Sequence, residues 1–373
     1  MLLLAGCTLP QVSAEERLFL NLSLDFLGEY RLPSDTSFEA TPVRGLSAIA
    51  YDRQGDRFYA LSDDRSEFAP ARFYTLKLNL SNDAGEVAIA GVEVERVTTL
   101  LKEDGEPFAQ GTIDPEGLAL SPRQTVFVSS EGIASEGIPP FIDEFDLVTG
   151  AWQQRLPIPD RYIPKTVDEQ PQGVQNNLGF EALTLNPGGF STTWLEPFRL
   201  FAATESALEQ DRQPSEEAAQ PVYSRFLHYL IGDELPVLIS EHLYPNDVPP
   251  PLTVNGLTEL VVLDQGGHFL SLEHSFGIAG AGARIFEIAT GGATDTSGIP
   301  ELNGLSGIEP IRKRLLLDLA DLNIPLDNLE GMTLGPQLPD GTQSLLLVSD
   351  DNFSPDQFTQ FLLFRLNGAR RGA

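Results

Sequence analysis

The chain is poor in the residues that most often announce a chemistry. Its 373 residues include one cysteine, Cys7, and four histidines. An intramolecular disulfide framework is therefore excluded, and no Cys/His cluster stands at zinc spacing. Basic residues are scarce: 24 lysines and arginines face 54 aspartates and glutamates, a formal net charge of -30. A surface of that sign lacks the electrostatic footprint of a nucleic-acid binder. After the N-terminus, no segment approaches the roughly 18 uncharged apolar residues of a spanning helix. There is no G-x-S-x-G elbow, since "GLSAI" at 45–49 and "GLSGI" at 304–308 both depart from it, and no H-E-x-x-H pair or P-loop. A serine hydrolase is disfavoured accordingly.

What the chain does have is repetition. Residues 328–353, "NLEGMTLGPQLPDGTQSLLLVSDDNF", hold two apolar runs around a turn, with Glu330-Gly331 at the start and Asp350-Asp351 at the end. Residues 114–132, "DPEGLALSPRQTVFVSSEG", repeat the plan, as do segments near 45–65, 180–205 and 256–274. Aligning the small residue after the acid gives Gly45, Gly117, Ala182, Gly256 and Gly331. Each unit continues with alternating segments such as "RFYTLKLNL" at 72–80 and "EVERVTTLL" at 93–101. Period-two alternation over short runs broken by Gly, Pro, Asn and Asp signals antiparallel strands.

Four strands per unit and five units predict an all-β fold, a closed β-propeller of four-stranded antiparallel blades. A sixth blade hidden in a connector remains an alternative. The last unit lacks its fourth strand, and the spare alternating segment is N-terminal, at 17–33, so it is expected to close the last blade beside 357–367. Closure removes the sheet edges an open array would expose. The polar, proline-containing connectors 160–177 and 206–221 read as surface excursions. The division is then 1–16 as a signal remnant and tether, 17–367 as one propeller domain, and 368–373 as a tail. A ring closed within one chain is read as a monomer.

In a blade, the start of the innermost strand and the end of its neighbour share one face. Glu116, Glu181 and Glu330 open inner strands; Asp63, Asp64, Glu131, Glu205, Glu273, Asp350 and Asp351 close second strands. All ten are expected to ring the mouth of the central channel, where crowded carboxylates call for a cation. Oxygen donors of this kind suit Ca²⁺ or Mg²⁺. Asp63, Asp64, Glu116, Glu131, Glu205, Glu273, Asp350 and Asp351 are the candidate metal ligands. Glu181 and Glu330, with His274 beside Glu273, are the candidate acid/base groups. Arg44, Arg72, Arg225 and Arg284 fall near the same face, as ion-pair partners or as planar forks for an anionic group.

At the other extreme, "LAGC" at 4–7 resembles a bacterial lipobox, with Cys7 as the lipidated residue, although only six residues precede it and none is basic. The expectation is an extracytoplasmic protein, periplasmic, outer-surface or secreted, that meets a membrane only through a lipid on Cys7.

The ordered blocks "RGLSAIAYD…YALSDDR", "PEGLAL…VSSEG", "NNLGFEALTLNP…AATES", "NGLTELVVL…LSLEHSF" and "NLEGMTLGP…LLLVSDDNF…TQFLLFRL" resemble the phytase-like, or "esterase-like activity of phytase", family of secreted bacterial proteins. The resemblance runs from about Leu18 to Leu366. It implies a β-propeller, export, and a metal-assisted phosphoesterase or esterase activity; phytase relatives with six blades keep both blade counts open. The functional expectation is an extracytoplasmic hydrolase of a small anionic ester or phosphoester, assisted by Ca²⁺. The alternative is a non-catalytic propeller that binds a ligand or protein at the same mouth.

Overall fold

The computed structural model describes residues 18–368 apart from 84–85, 187–195, 213–221, 249–252, 264–265 and 278–279. Cys7 and the rest of the proposed tether lie outside the described residues. Five four-stranded antiparallel sheets are present, each running outward in chain order from an inner strand, with one exception in the fifth. Blade 1 comprises Leu46–Asp52, Arg57–Ser62, Arg72–Asp83 and Glu86–Thr99. Blade 2 comprises Pro115–Leu120, Thr125–Ser130, Phe141–Asp146 and Trp152–Arg155, and blade 3 Phe180–Asn186, Phe198–Thr204, Tyr223–Ile231 and Val237–Pro245. Blade 4 is built from Thr253–Val262, His268–Gly277, Gly280–Ala289 and Arg312–Asp318. Blade 5 takes Asn328–Gln337, Gln343–Asp350 and Gln360–Asn367, and its outer strand is Ser23–Arg31 from the far end of the chain. That strand pairs from Ser23↔Asn367 to Arg31↔Gln360, so the N-terminal strand closes the last blade as its position in the repeat predicts. The connector at 160–177 contributes a 3₁₀ turn, Asp160–Tyr162, and a two-stranded ribbon, Lys165–Val167 with Gln170–Gln172, and no sixth blade.

Alternation along the strands puts apolar side chains on both faces of every blade, and the ring closes because each face has a neighbour to bury it. Five separate apolar clusters result, one at each blade junction. Phe73 and Leu61 meet Val128 and Phe141 between blades 1 and 2, while Leu346 and Phe361 meet Ile49 and Phe58 between blades 5 and 1. Side chains such as Phe127, Phe180 and Phe226 are fully buried, so truncating one to alanine should cost about 3–5 kcal/mol.

The inner strands share a device that the sequence repeat obscures. Each is bulged near its start: the register shifts at Ser47, Glu116, Glu181, Thr258 and Glu330. A bulge gives two residues to one partner and re-aims the extra side chain. The structurally equivalent residues after it are Ala48, Gly117, Ala182, Glu259 and Gly331, so the alignment on Gly45 and Gly256 is corrected by three residues in blades 1 and 4. Small residues recur there because inner strands approach closely: a Cβ on Gly117 would lie 2.3 Å from the Glu181 carbonyl oxygen. The exception, Glu259, is buried and accepts from its own strand at Leu260 (2.8 Å) and from the blade 3 inner strand at Leu183 (3.3 Å).

Candidate functional site

The corrected register sorts the acids by direction. Just past the pairs Leu46↔Ser62, Pro115↔Ser130, Phe180↔Thr204, Leu257↔Glu273 and Leu329↔Ser349 stand Asp63, Glu131, Glu205, His274 and Asp350. Together with the bulge residues Glu116, Glu181 and Glu330, they form the charged mouth. Blade 4 thus supplies an imidazole where the other four blades supply a carboxylate.

Two overlapping triads lie at the centre. Oxygens of Asp63, Asp114 and Glu116 fall within 4.8 Å of one another, as do oxygens of Glu116, Glu131 and Glu181. Glu116 is their shared member. Arg65 forks onto Asp114, with Nη2 2.6 Å from Oδ2, and reaches Asn177 at 2.7 Å. Glu131 is only 1% exposed; one of its oxygens accepts from the Gly179 amide at 2.7 Å, and the other, Oε2, is buried without a hydrogen-bond partner among the described residues. Asp63 Oδ1 is likewise unpartnered. An unmet buried carboxylate oxygen carries a large desolvation cost. A hard cation in either triad would give such an orphan a partner, and carboxylate oxygens are donors of the right chemistry, so the residues fit Ca²⁺ or a similar ion.

Electrostatics follow from this crowding. Burial, reinforced by the neighbouring Asp63 and Glu181 charges, pushes Glu116 well above the usual carboxylate range. Burial also raises Glu131, Glu181 and Glu330, each with nearby carboxylates adding to the effect. Asp350 is pushed up to about 7, chiefly by burial.

The opposite side of the mouth is organised by hydrogen bonds. His274 Nε2 lies 2.9 Å from Glu205 Oε1, and Nδ1 lies 3.0 Å from Asn328 Oδ1. Asn328 Nδ2 donates to Glu330 Oε1 at 2.6 Å. Because the asparagine turns its amino group to Glu330, its oxygen must accept from His274, which places a proton on Nδ1. Burial opposes the imidazolium, but the bonds to Glu205 and Asn328 outweigh it and raise the His274 pKa.

The structure moves several expected ligands out of this ring. Asp64, Glu273 and Asp351 each sit one residue from a mouth position, on the other face of their strand ends. Asp64 accepts the amides of Glu67, Phe68 and Ala69 and pairs with Arg72 at 2.7 Å. Glu273 accepts from Tyr244 Oη at 2.6 Å and from Lys313. Asp351 takes Arg44 at 2.7 Å and the Gly45 amide at 2.9 Å. These three carboxylates fasten loops and blade junctions.

The arginines are corrected in the same way. Arg72 is fully buried, with its nitrogens engaged by Asp64, Tyr74 and the Pro42 carbonyl. Arg225 is fully buried between Asp211 and Glu241. Arg284 pairs with Asp318 at 2.8 Å and Asp247 at 3.3 Å, and Arg44 is held by Asp351 and the Ser354 carbonyl. Ion pairing, the alternative to a free fork, is what the structure contains. Asp114, Asn328, Arg65 and Glu259 were not singled out from the sequence. The "DPEG" run at 114–117 carries a signal for the first, because a residue two positions before a bulge acid returns to the same mouth.

Comparison with known proteins places this geometry. The family model described as "Phytase-like: Esterase-like activity of phytase" matches residues 41–353. No curated protein matches the chain. Among solved structures, an endo-arabinase from Bacteroides thetaiotaomicron is similar at 12% identity, covering 87% of this chain and 94% of its own, with a TM-score of 0.38. The catalytic domain of a Coprinopsis cinerea GH62 alpha-L-arabinofuranosidase is similar at 10% identity, covering 94% and 98%, with a TM-score of 0.39. Likenesses this distant carry no argument about chemistry.

Proposed function

We propose that this chain, which belongs to the phytase-like family, is a cation-assisted ester hydrolase working at the acidic mouth of its propeller. The observation that carries the reading is the buried, unpartnered Glu131 oxygen inside one of two carboxylate triads that overlap at Glu116. A cluster kept only for solubility would be solvated, and a cluster kept only for packing would have its oxygens satisfied. The residues that would hold an ion are those of the two triads, Asp63, Asp114 and Glu116 or Glu116, Glu131 and Glu181. When bound, the cation supplies Lewis-acid polarisation of the ester oxygen.

The chain's own groups supply the proton chemistry. Water attacks the electrophilic carbon or phosphorus, and its proton passes to Glu205, which the His274 imidazole fixes in place. The bond to the alcohol oxygen breaks, and Glu330 gives that oxygen a proton. Burial and the nearby Asp350 and Asp63 charges raise the Glu330 pKa, the direction a general acid requires. Asn328 orients both partners, accepting from His274 and donating to Glu330. The Cys7 motif supports action outside the cytoplasm, with a lipid anchor or as a secreted form.

The test is turnover of a panel of phosphomonoesters and carboxylic esters, with Ca²⁺ and with chelator, by wild type and by Glu330→Gln and Glu205→Gln. The reading expects cation-dependent hydrolysis that both substitutions lower by 10²-fold or more, the usual range of an acid/base contribution. Absence of turnover across the panel would leave a binding propeller instead.

A further inference from the structure

The strands of blade 4 do not stop at the mouth. Beyond the pair Gly256↔His274, three further rungs continue: Asn255↔Ser275, Val254↔Phe276 and Thr253↔Gly277. The third strand follows, with Phe276↔Ala281 and His274↔Ala283. The bulge of this blade lies on the other side of Gly256, at Thr258, so alternation is undisturbed in the extension. Residues two apart share a face. Val254, Phe276 and Ala281 therefore stand on the face that carries Gly256 and His274, where a Cβ on Gly256 would collide with the Glu205 carboxylate at 2.1 Å. The other face carries Asn255, Ser275 and Gly282, and Asn255 is tied to the Asp247 carbonyl at 2.6 Å.

This arrangement is reversed for a projecting hairpin with nothing to bind. Its polar side chains are on the face that makes internal contacts, and its apolar ones rise above the Glu205–His274 pair. Val254 is 68% exposed and Phe276 54% exposed. A second apolar element stands on the mouth face between blades 5 and 1. Phe68, 58% exposed, stacks on Phe353 with ring centroids 4.4 Å apart and 10° between planes. Phe353 holds a left-handed backbone, φ 50, and its ring packs where a side chain on Gly45 would be, 2.4 Å from an added Cβ. A strained aromatic held beside a site is a common mark of function.

We propose that the substrate is an uncharged carboxylic ester with an apolar acyl group, which lies against Val254 and Phe276 while the ester reaches the Glu205–His274 pair. The inference rests on the hydrolase reading and narrows its substrate class. Charge supports it: Arg44, Arg65, Arg72, Arg225 and Arg284 are all paired with carboxylates, so none is left as a free fork for a polyanion.

The experiment compares 4-nitrophenyl acetate with 4-nitrophenyl hexanoate, which share a leaving group and differ by four methylenes. Wild type, Phe276→Ser, Phe276→Trp and Val254→Asn are assayed, and calorimetry follows binding of the neutral, non-ester ligands acetamide and hexanamide. Each buried methylene is worth roughly fourfold in affinity. Wild type should favour the hexanoate by ten-fold or more in kcat/KM; Phe276→Ser and Val254→Asn should erase most of that preference, and Phe276→Trp should keep it. Equal handling of the two esters by wild type, or a preference untouched by Phe276→Ser, overturns the inference and leaves the hydrolase reading standing. If no ester is turned over but hexanamide binds and Phe276→Ser abolishes that binding, the hydrolase reading falls and the apolar site remains. If hexanamide binds no better than acetamide, the apolar site falls as well.

Discussion

Replacing Glu116 by glutamine should make the cation-free protein more stable and the cation-loaded protein relatively less so. Glu116 belongs to both triads, with acidic oxygens within 4.8 Å on either side. At that separation and an effective dielectric constant near 20, two ionised carboxylates repel by about 3.5 kcal/mol. Burial first, and the neighbouring carboxylate charges after it, raise the Glu116 pKa, so the folded protein holds that proton more tightly than the unfolded chain does. Each unit by which the folded pKa exceeds the unfolded one costs about 1.36 kcal/mol of stability once the pH is above both. The sign is that of a raised acid: the folded state binds the proton more tightly, so the penalty is absent below pH 4.5 and grows as pH rises. In chelator at pH 7, Glu116→Gln should therefore raise the melting temperature by up to about 4 °C for a cooperative unit of this length; at pH 4.5 the two proteins should melt together. Saturating Ca²⁺ should narrow the gap, since an ion at a hundred times its Kd adds about 2.7 kcal/mol to wild type and less to a variant that has lost a ligand. Scanning calorimetry at both pH values, with chelator and with Ca²⁺, gives all four comparisons. A variant that melts lower than wild type in chelator at pH 7, or that gains as much from Ca²⁺, would refute the reasoning.

Arg72→Ala should destabilise the fold by about 3–5 kcal/mol, because it strands the buried Asp64 carboxylate; urea unfolding measures it, and a loss below 1 kcal/mol would contradict the buried pair. Deleting residues 1–31 removes the outer strand of blade 5 and leaves Gln360–Asn367 as an open edge, so light scattering should report aggregation where the full chain stays soluble. His228 is half-buried, stacked on Phe201, and burial with help from Arg199 depresses its pKa to about 4 from 6.5. A depressed histidine loses stability as pH falls from about 6.5 to about 4. His228→Phe should flatten that part of the stability profile relative to wild type, and parallel profiles would show that the imidazole is not the cause.

The propeller is legible in the sequence because its determinants are local and repeated. Turn-bounded apolar runs ending in an acid recur five times, and the missing outer strand can be traced to the opposite terminus by counting. The site is only half legible. Adjacent pairs such as Asp63-Asp64, Glu273-His274 and Asp350-Asp351 offer two side chains for one mouth position, and alternation sends only one inward. Which one depends on the bulge in the neighbouring inner strand, a backbone feature with no residue of its own. Glu259 was passed over for the same reason, since "NGLTELVVL" presents a glycine that mimics the repeat three residues early. Arg72 and Arg225 begin third strands on the mouth face, as their positions suggest, yet their side chains turn into the blades, where Asp64, Asp211 and Glu241 await them.

The central claim is that the mouth carboxylates form a cation site, and an experimental structure grown with Mn²⁺ tests it most directly through the ion's anomalous scattering. The account predicts a strong anomalous peak within at least one of the two triads, coordinated by Glu116 and giving a partner to Glu131 Oε2 or to Asp63 Oδ1. A well-ordered mouth with no anomalous peak at millimolar Mn²⁺, or a peak confined to exposed carboxylates on the outer blades, would contradict it.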